Sequence, residues 1–152
     1  MPESVEVSVR RRSFTIAAGV VIDHEDAEGV HFAHGGGAGG NSLFVKGGRL
    51  RYTYNWLGEK IQDVVSDAPI TTGKHAFTAE FLKTGDDEAN HRRSARSRST
   101  WTNEPVGKTE IWIQPGMFGL TGNGPSVGRD GNSPVSPGYR SPFRFTGGML
   151  DV

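Results

Sequence analysis

The sequence predicts an all-β protein built as an antiparallel two-sheet β-sandwich or jelly roll. Apolar and polar residues alternate in several segments, as they do where one face of a strand covers a core. Turn-forming residues interrupt these segments roughly every ten residues, and glycine alone accounts for 22 of 152 residues, about twice its usual share. Helical spacing is nearly lacking, with only a faint trace over 58–67. Because a single sheet could not hide the aromatic faces, two stacked sheets are expected.

The strands with the clearest alternation lie in the first half of the chain. Their apolar side chains fall on every second residue, so one face of each strand is half-buried. These positions are Phe14, Ile16, Ala18, Val20 and Ile22, then Leu50, Tyr52 and Tyr54, then His75, Phe77, Ala79 and Phe81. Between 42–46 and 49–52 only Gly47 and Gly48 remain, and both can take the positive φ of a tight hairpin turn. Shorter strands are expected at 30–34, 61–65, around Trp101, 108–113, 126–129 and 143–146.

Two segments look unlike strand or core. Residues 35–41 are mostly glycine, and residues 84–99 carry dense charge and little apolar matter. Both are expected to be exposed loops of a single domain spanning 1–152, and whether the second is ordered stays open.

Charge and composition exclude several partners. The 17 basic and 17 acidic side chains give a formal net charge of zero, so neither nucleic acid nor a membrane is an expected partner. Without cysteine there is no disulfide, thiolate metal site or cysteine nucleophile. No apolar run approaches the ~20 residues of a membrane-spanning helix. The apolar run after Arg10–Arg12 lacks a convincing signal-peptide cleavage pattern, so a cytoplasmic location is expected.

A series of short motifs follows one another along nearly the whole chain. They are 12–16 (RSFTI), 29–30 (GV), 34–36 (HGG), 42–50 (SLFVKGGRL), 54–58 (YNWLG), 73–75 (GKH), 127–130 (VGRD) and 142–147 (PFRFTG). In this order they resemble the C-terminal accessory domain of large bacterial arylsulfatases, a concanavalin A-like, LamG-like β-sandwich. The resemblance implies a non-catalytic module for packing, oligomerisation or substrate positioning. Its implied partners are a sulfatase catalytic domain or a second copy of itself.

The chain departs from that family in its strands and in its chemistry. Residues 91–102 are basic where the family has an apolar strand, so that strand is in question. The chain stops at 149–152, where family members continue a closing strand, so the last pairing is expected to be frayed or completed by another chain. The Cys or Ser followed by x-Pro-x-Arg that sulfatases convert to formylglycine is absent, as is the Glu-x-Asp-x-x-Glu of laminarinase-like hydrolases. The chain is therefore expected not to be an enzyme and to use no cofactor.

One candidate binding group is Arg129, Asp130 and Asn132, next to a Gly-Asn-Ser-Pro turn. These side chains could line a groove for a sugar or a sulfate-bearing ligand at the sandwich edge. The structural alternative is that Asp130 accepts backbone N–H bonds from the turn while Arg129 pairs with a carboxylate.

A second candidate group is Tyr54, Asn55 and Trp56, at the end of a predicted strand. An aromatic ring there could stack on a sugar while the amide bonds its hydroxyls, although such rings also serve as core. These two groups leave open the alternative function of a lectin-like carbohydrate-binding module.

No metal site is expected from the histidines or carboxylates. His31 and His34 are three residues apart and would point to opposite faces of a strand. The adjacent carboxylates of 86–88 would diverge on an extended loop and lack the spaced oxygens of a calcium site.

Overall fold

The computed structural model describes residues 13–87, 92–101, 104–113, 124–131 and 133–151. Within those ranges the backbone forms twelve strands and no helix, which confirms the all-β prediction. The strands are β1 (Phe14–Ile22), β2 (Gly29–Gly36), β3 (Gly39–Lys46), β4 (Arg49–Trp56), β5 (Lys60–Val65), β6 (Gly73–Asp87), β7 (Arg92–Trp101), β8 (Glu104–Ile113), β9 (Ser126–Val127), β10 (Arg129–Asp130), β11 (Phe143–Arg144) and β12 (Gly148–Asp151). No helix long and apolar enough to cross a membrane occurs in these ranges.

The strands form two sheets, as the sequence predicts for a sandwich. The first sheet has the order β12-β1-β6-β7-β8. The second has the order β10-β11-β2-β3-β4-β5, with β9 paired to β2 as well. Neighbouring strands are antiparallel except β11 and β2, which are parallel at Arg144 and Val30. The C-terminal third of the chain therefore contributes strands to both sheets.

The main core lies between the two sheets and uses the alternating residues. Ile16, Ala18, Val20 and Ile22 of β1 are buried on one face. Leu50, Tyr52 and Tyr54 of β4 face them, and Phe77, Ala79 and Phe81 of β6 complete the cluster. The period of two thus places the apolar face of each strand toward the opposite sheet.

A second, smaller core covers the outer face of the second sheet. Residues 133–142, which we call the covering segment, lie across β2, β3 and β4 there. Tyr139 of this segment meets Phe44 of β3 edge to face, with ring centroids 4.9 Å apart, and stacks on Phe143 at 5.1 Å. Val30, Ala33 and Val135 complete this small core. The covering segment hides apolar side chains that an open sheet would expose to water.

The two glycine-rich positions behave differently. Gly47 and Gly48 form the predicted two-residue hairpin turn, with φ of 59° and 68°. The prediction of an exposed loop over 35–41 is wrong, because β2 runs to Gly36 and β3 starts at Gly39, leaving only a two-residue turn. Gly35 and Gly40 are paired across these strands, and a Cβ on Gly40 would overlap the carbonyl oxygen of His34. Here glycine allows close strand contact instead of flexibility.

The charged segment also forms strands where a loop was predicted. Residues 84–87 continue β6, and 92–99 belong to β7; residues 88–91 lie outside the described ranges. β7 pairs with β6 on one side and with β8 on the other. Backbone hydrogen bonds on both sides therefore hold this strand even though its sequence is basic, and the strand left in question by the sequence is formed.

Candidate functional site

The two predicted binding groups lie on the second sheet and meet at the covering segment. Asn55 near the end of β4 and Asp130 in β10 are 75 residues apart in the chain, yet both bond the backbone of Val135. The Asn55 amide donates to the Val135 carbonyl oxygen at 3.0 Å, and the Asp130 carboxylate accepts from the Val135 N–H at 3.2 Å. The fold thus brings two candidates together, but around protein backbone.

Asn55 is committed to the fold through both ends of its amide. Its side chain is almost completely buried, and its nitrogen also faces the carbonyl oxygens of Gly36 and Gly37 at 3.3 and 3.1 Å. Its oxygen accepts from the Gly58 N–H at 2.9 Å, which closes the turn after β4. Bonding to sugar hydroxyls, as predicted for this residue, would require giving up these bonds.

Asp130 follows the structural alternative. It is buried and accepts a hydrogen bond from the Tyr139 hydroxyl at 2.6 Å as well as the bond from Val135. Burial, followed by the hydrogen bond to Asp130, raises the pKa of the Tyr139 hydroxyl, so it remains a donor at neutral pH. The predicted acceptance of a backbone N–H from the turn is confirmed, and Asp130 is not open to a ligand.

Arg129 differs from its neighbour because its side chain is exposed. The predicted carboxylate pair is not found, since no described carboxylate lies within ion-pair distance of Arg129. Arg129 is exposed while the next residue, Asp130, is buried and bonded to Tyr139. Asn132 lies outside the described residues.

The aromatic members of the second group are mostly core. Tyr54 is only 1% exposed and stacks on Phe81 with centroids 6.0 Å apart, so it cannot act as a sugar-stacking surface. The free energy gained by burying a ring of that size between the sheets favours the core over an exposed position at the strand end. Trp56 is half-buried and packs against the main core, and the neighbouring Leu57 and Ile61 are exposed.

His31 is a core residue, which the sequence did not predict. It occupies an irregularity in the β2–β3 register between Val30 and Phe32 and is fully buried. Its ring lies 4.3 Å from Phe145 and 5.2 Å from Phe77, centroid to centroid, and neither ring nitrogen has a hydrogen-bond partner. Burial lowers the pKa of His31 to about 3, so the ring is neutral at physiological pH.

Within the described ranges, no three His, Asp or Glu side chains are grouped as a metal ion would require.

Sequence reasoning also missed the covering segment. Ser136 lies 3.3 Å from the Thr53 hydroxyl, and Val135 and Tyr139 fill the small core. The available signal was two large apolar residues four apart within a stretch that otherwise reads as turns. Such a stretch is easily taken for a surface loop because it has no period of two.

Together these features define a jelly-roll, concanavalin-like β-sandwich in which the buried Asn55 and Asp130 side chains bond the protein's own backbone. No model of a protein family and no curated protein sequence matches the chain. Among solved structures, it is similar to a native heptameric SAP-like pentraxin from Limulus polyphemus, with a TM-score of 0.51 and 15% sequence identity. The alignment covers 92% of this chain and 62% of the pentraxin chain, so the chain spans less than two thirds of that protein. The likeness supports the jelly-roll fold.

Proposed function

We propose that this chain is a non-catalytic accessory module, of the kind found beside sulfatase catalytic domains, and that it associates with a second copy of itself through its open edge. The ordered motifs that resemble the arylsulfatase accessory domain support the first part. The buried bonding of Asn55 and Asp130 also supports it, because both polar residues hold the covering segment in place.

The observation that carries the association is the open edge at β12. Among the described strands, β12 ends the first sheet and is paired only with β1. Leu150 lies where the β1–β12 register shifts and is 61% exposed. An unpaired strand edge offers backbone N–H and C=O groups to another strand.

An exposed apolar side chain lies close to this strand. Val127 of β9 is 56% exposed, and a Cβ built on the adjacent Gly128 would lie 4.0 Å from Met149 of β12. The chain just after β9 therefore runs close to β12.

A second copy of the chain is a suitable partner for the open edge of β12. Formal charge is zero, so two copies do not repel each other strongly. The pentraxin that shares the fold is itself described as heptameric, which supports assembly from like chains.

The test is sedimentation equilibrium of the purified chain and of Leu150→Lys. The wild type is expected to be a dimer, and the variant is expected to dissociate about a hundredfold more readily, because each copy then carries a lysine in place of an apolar side chain at the shared edge. Leu82→Lys is the matched control, since Leu82 is 51% exposed on β6, a strand inside the same sheet. A wild type that stays monomeric at high concentration would refute the association, and hydrolysis of an aryl sulfate by the chain alone would refute the accessory role.

A second candidate function is a lectin-like module. The observation in its favour is the half-buried Trp56 next to Leu57 and Ile61, which are 43% and 36% exposed at the β4–β5 hairpin. A glycan array tests it, with Trp56→Phe to retain core packing and Leu57→Ala as the control. Binding that is lost in Trp56→Phe and kept in Leu57→Ala would favour it, and an empty array would remove it.

A further inference from the structure

Two arginines lie directly opposite each other on the short β10–β11 pair. Arg129 of β10 is the register partner of Arg144 of β11, and both side chains are exposed. Direct cross-strand partners project from the same face of the sheet with their Cβ atoms roughly 5 Å apart. Like charges in such positions repel each other, so the arrangement costs stability unless an anion lies between them.

Neither arginine is neutralised by a described carboxylate. Asp130, next to Arg129 in sequence, is buried and already bonds Tyr139 and Val135. Glu28 is tied through its backbone to Thr146 beside Arg144, yet no ion pair forms there. Both guanidinium groups are therefore available to an external anion.

The backbone beneath the pair is held in place at several points. The Ser126 hydroxyl donates to the Arg129 carbonyl oxygen at 2.8 Å, and the Phe145 N–H donates to the Gly128 carbonyl oxygen at 3.0 Å. The Gly128 N–H in turn donates to the His31 carbonyl oxygen at 2.9 Å, which ties this edge to β2. Two arginines in register on this held backbone match the oxygens of one tetrahedral anion, since each guanidinium can donate two parallel hydrogen bonds.

We infer that Arg129 and Arg144 form a binding site for one tetrahedral oxyanion, carried as a sulfate ester on a saccharide. The choice of sulfate over phosphate rests on the proposed accessory role, whereas the oxyanion site rests on the arginine pair alone. A nucleic acid is disfavoured because it needs a longer basic surface with stacking rings, and the chain has no net positive charge.

Calorimetric titration with a sulfated oligosaccharide, its desulfated form, inorganic sulfate, inorganic phosphate and single-stranded DNA tests this inference. The sulfated oligosaccharide is expected to bind, and Arg129→Gln and Arg144→Gln are each expected to weaken it about tenfold or more. Arg140→Gln is the matched control, because it removes an exposed arginine from the covering segment and is expected to retain binding.

Thermal melting separates loss of binding from loss of fold. In chloride, Arg129→Gln and Arg144→Gln are expected to melt no lower than wild type, because one repelling charge is gone. Equal binding of the desulfated oligosaccharide, or unchanged affinity in both arginine variants, would overturn the oxyanion site. Tighter binding of DNA or of free phosphate would overturn the sulfated ligand. None of these results depends on whether the chain dimerises, so the proposed association is tested separately.

Discussion

Acidification should destabilise this protein through His31, well before most carboxylates are protonated. The ring is fully buried, and its pKa falls from 6.5 to about 3 in the folded state. The unfolded chain therefore binds the proton more readily, and stability is lost as pH falls from about 6.5 toward 3. At pH 5 the free energy of unfolding is lower by about 2 kcal/mol, because each pH unit below the unfolded-state pKa of 6.5 costs about 1.36 kcal/mol.

The cause of this loss is burial without a partner. His31 is packed against Phe77 and Phe145, and no hydrogen bond is available to either ring nitrogen. A protonated ring would be a buried charge with nothing to compensate it. Burial is the cause of the lowered pKa.

Urea unfolding followed by circular dichroism at pH 7, 6 and 5 measures the effect. His31→Leu is expected to be at least as stable as wild type at pH 7, because it removes two unpaired polar atoms, and to lose the His31 contribution to the pH dependence. His24→Gln, which replaces an exposed histidine in the β1–β2 connection, is the control for removing a histidine at the surface. If His31→Leu loses as much stability between pH 7 and pH 5 as wild type does, the reasoning is refuted.

Two further predictions concern the covering segment and the β2–β3 pairing. Tyr139→Phe should lower the free energy of unfolding, measured with urea, by about 1.5 to 3 kcal/mol, because the buried Asp130 carboxylate loses its 2.6 Å hydrogen bond. An unchanged urea midpoint would contradict a structural role for the Tyr139 hydroxyl. Gly40→Ala should lower the melting temperature markedly, because the new Cβ overlaps the His34 carbonyl oxygen, whereas Gly47→Asn in an open turn with φ of 59° should be nearly neutral. If the two variants have the same melting temperature, the close contact between Gly40 and the His34 carbonyl oxygen is not what requires glycine there.

The candidate site was predictable in part. That Asp130 would accept a backbone N–H followed from its place before a turn, and the bond to Val135 confirms it. The use of Asn55 could not be predicted, because its partner Val135 is 80 residues away and lies on no regular strand. The sequence left Tyr54 two possible places, the buried face of an alternating strand or an exposed strand end, and its contact with Phe81 on the opposite sheet shows that it is core.

What the sequence by itself determined is local: which side chains alternate and where the chain turns. The period of two in β1, β4 and β6 and the paired glycines of the β3–β4 hairpin follow from backbone sterics and the burial of one face. The tertiary structure decided whether the glycine-rich and basic segments become strands, because backbone hydrogen bonds depend on a neighbouring strand more than on the side chains present. It also decided that Asn55 and Asp130 hold backbone while Arg129 and Arg144 face solvent together. Pairing between distant segments sets both results, and no local pattern in the sequence encodes it.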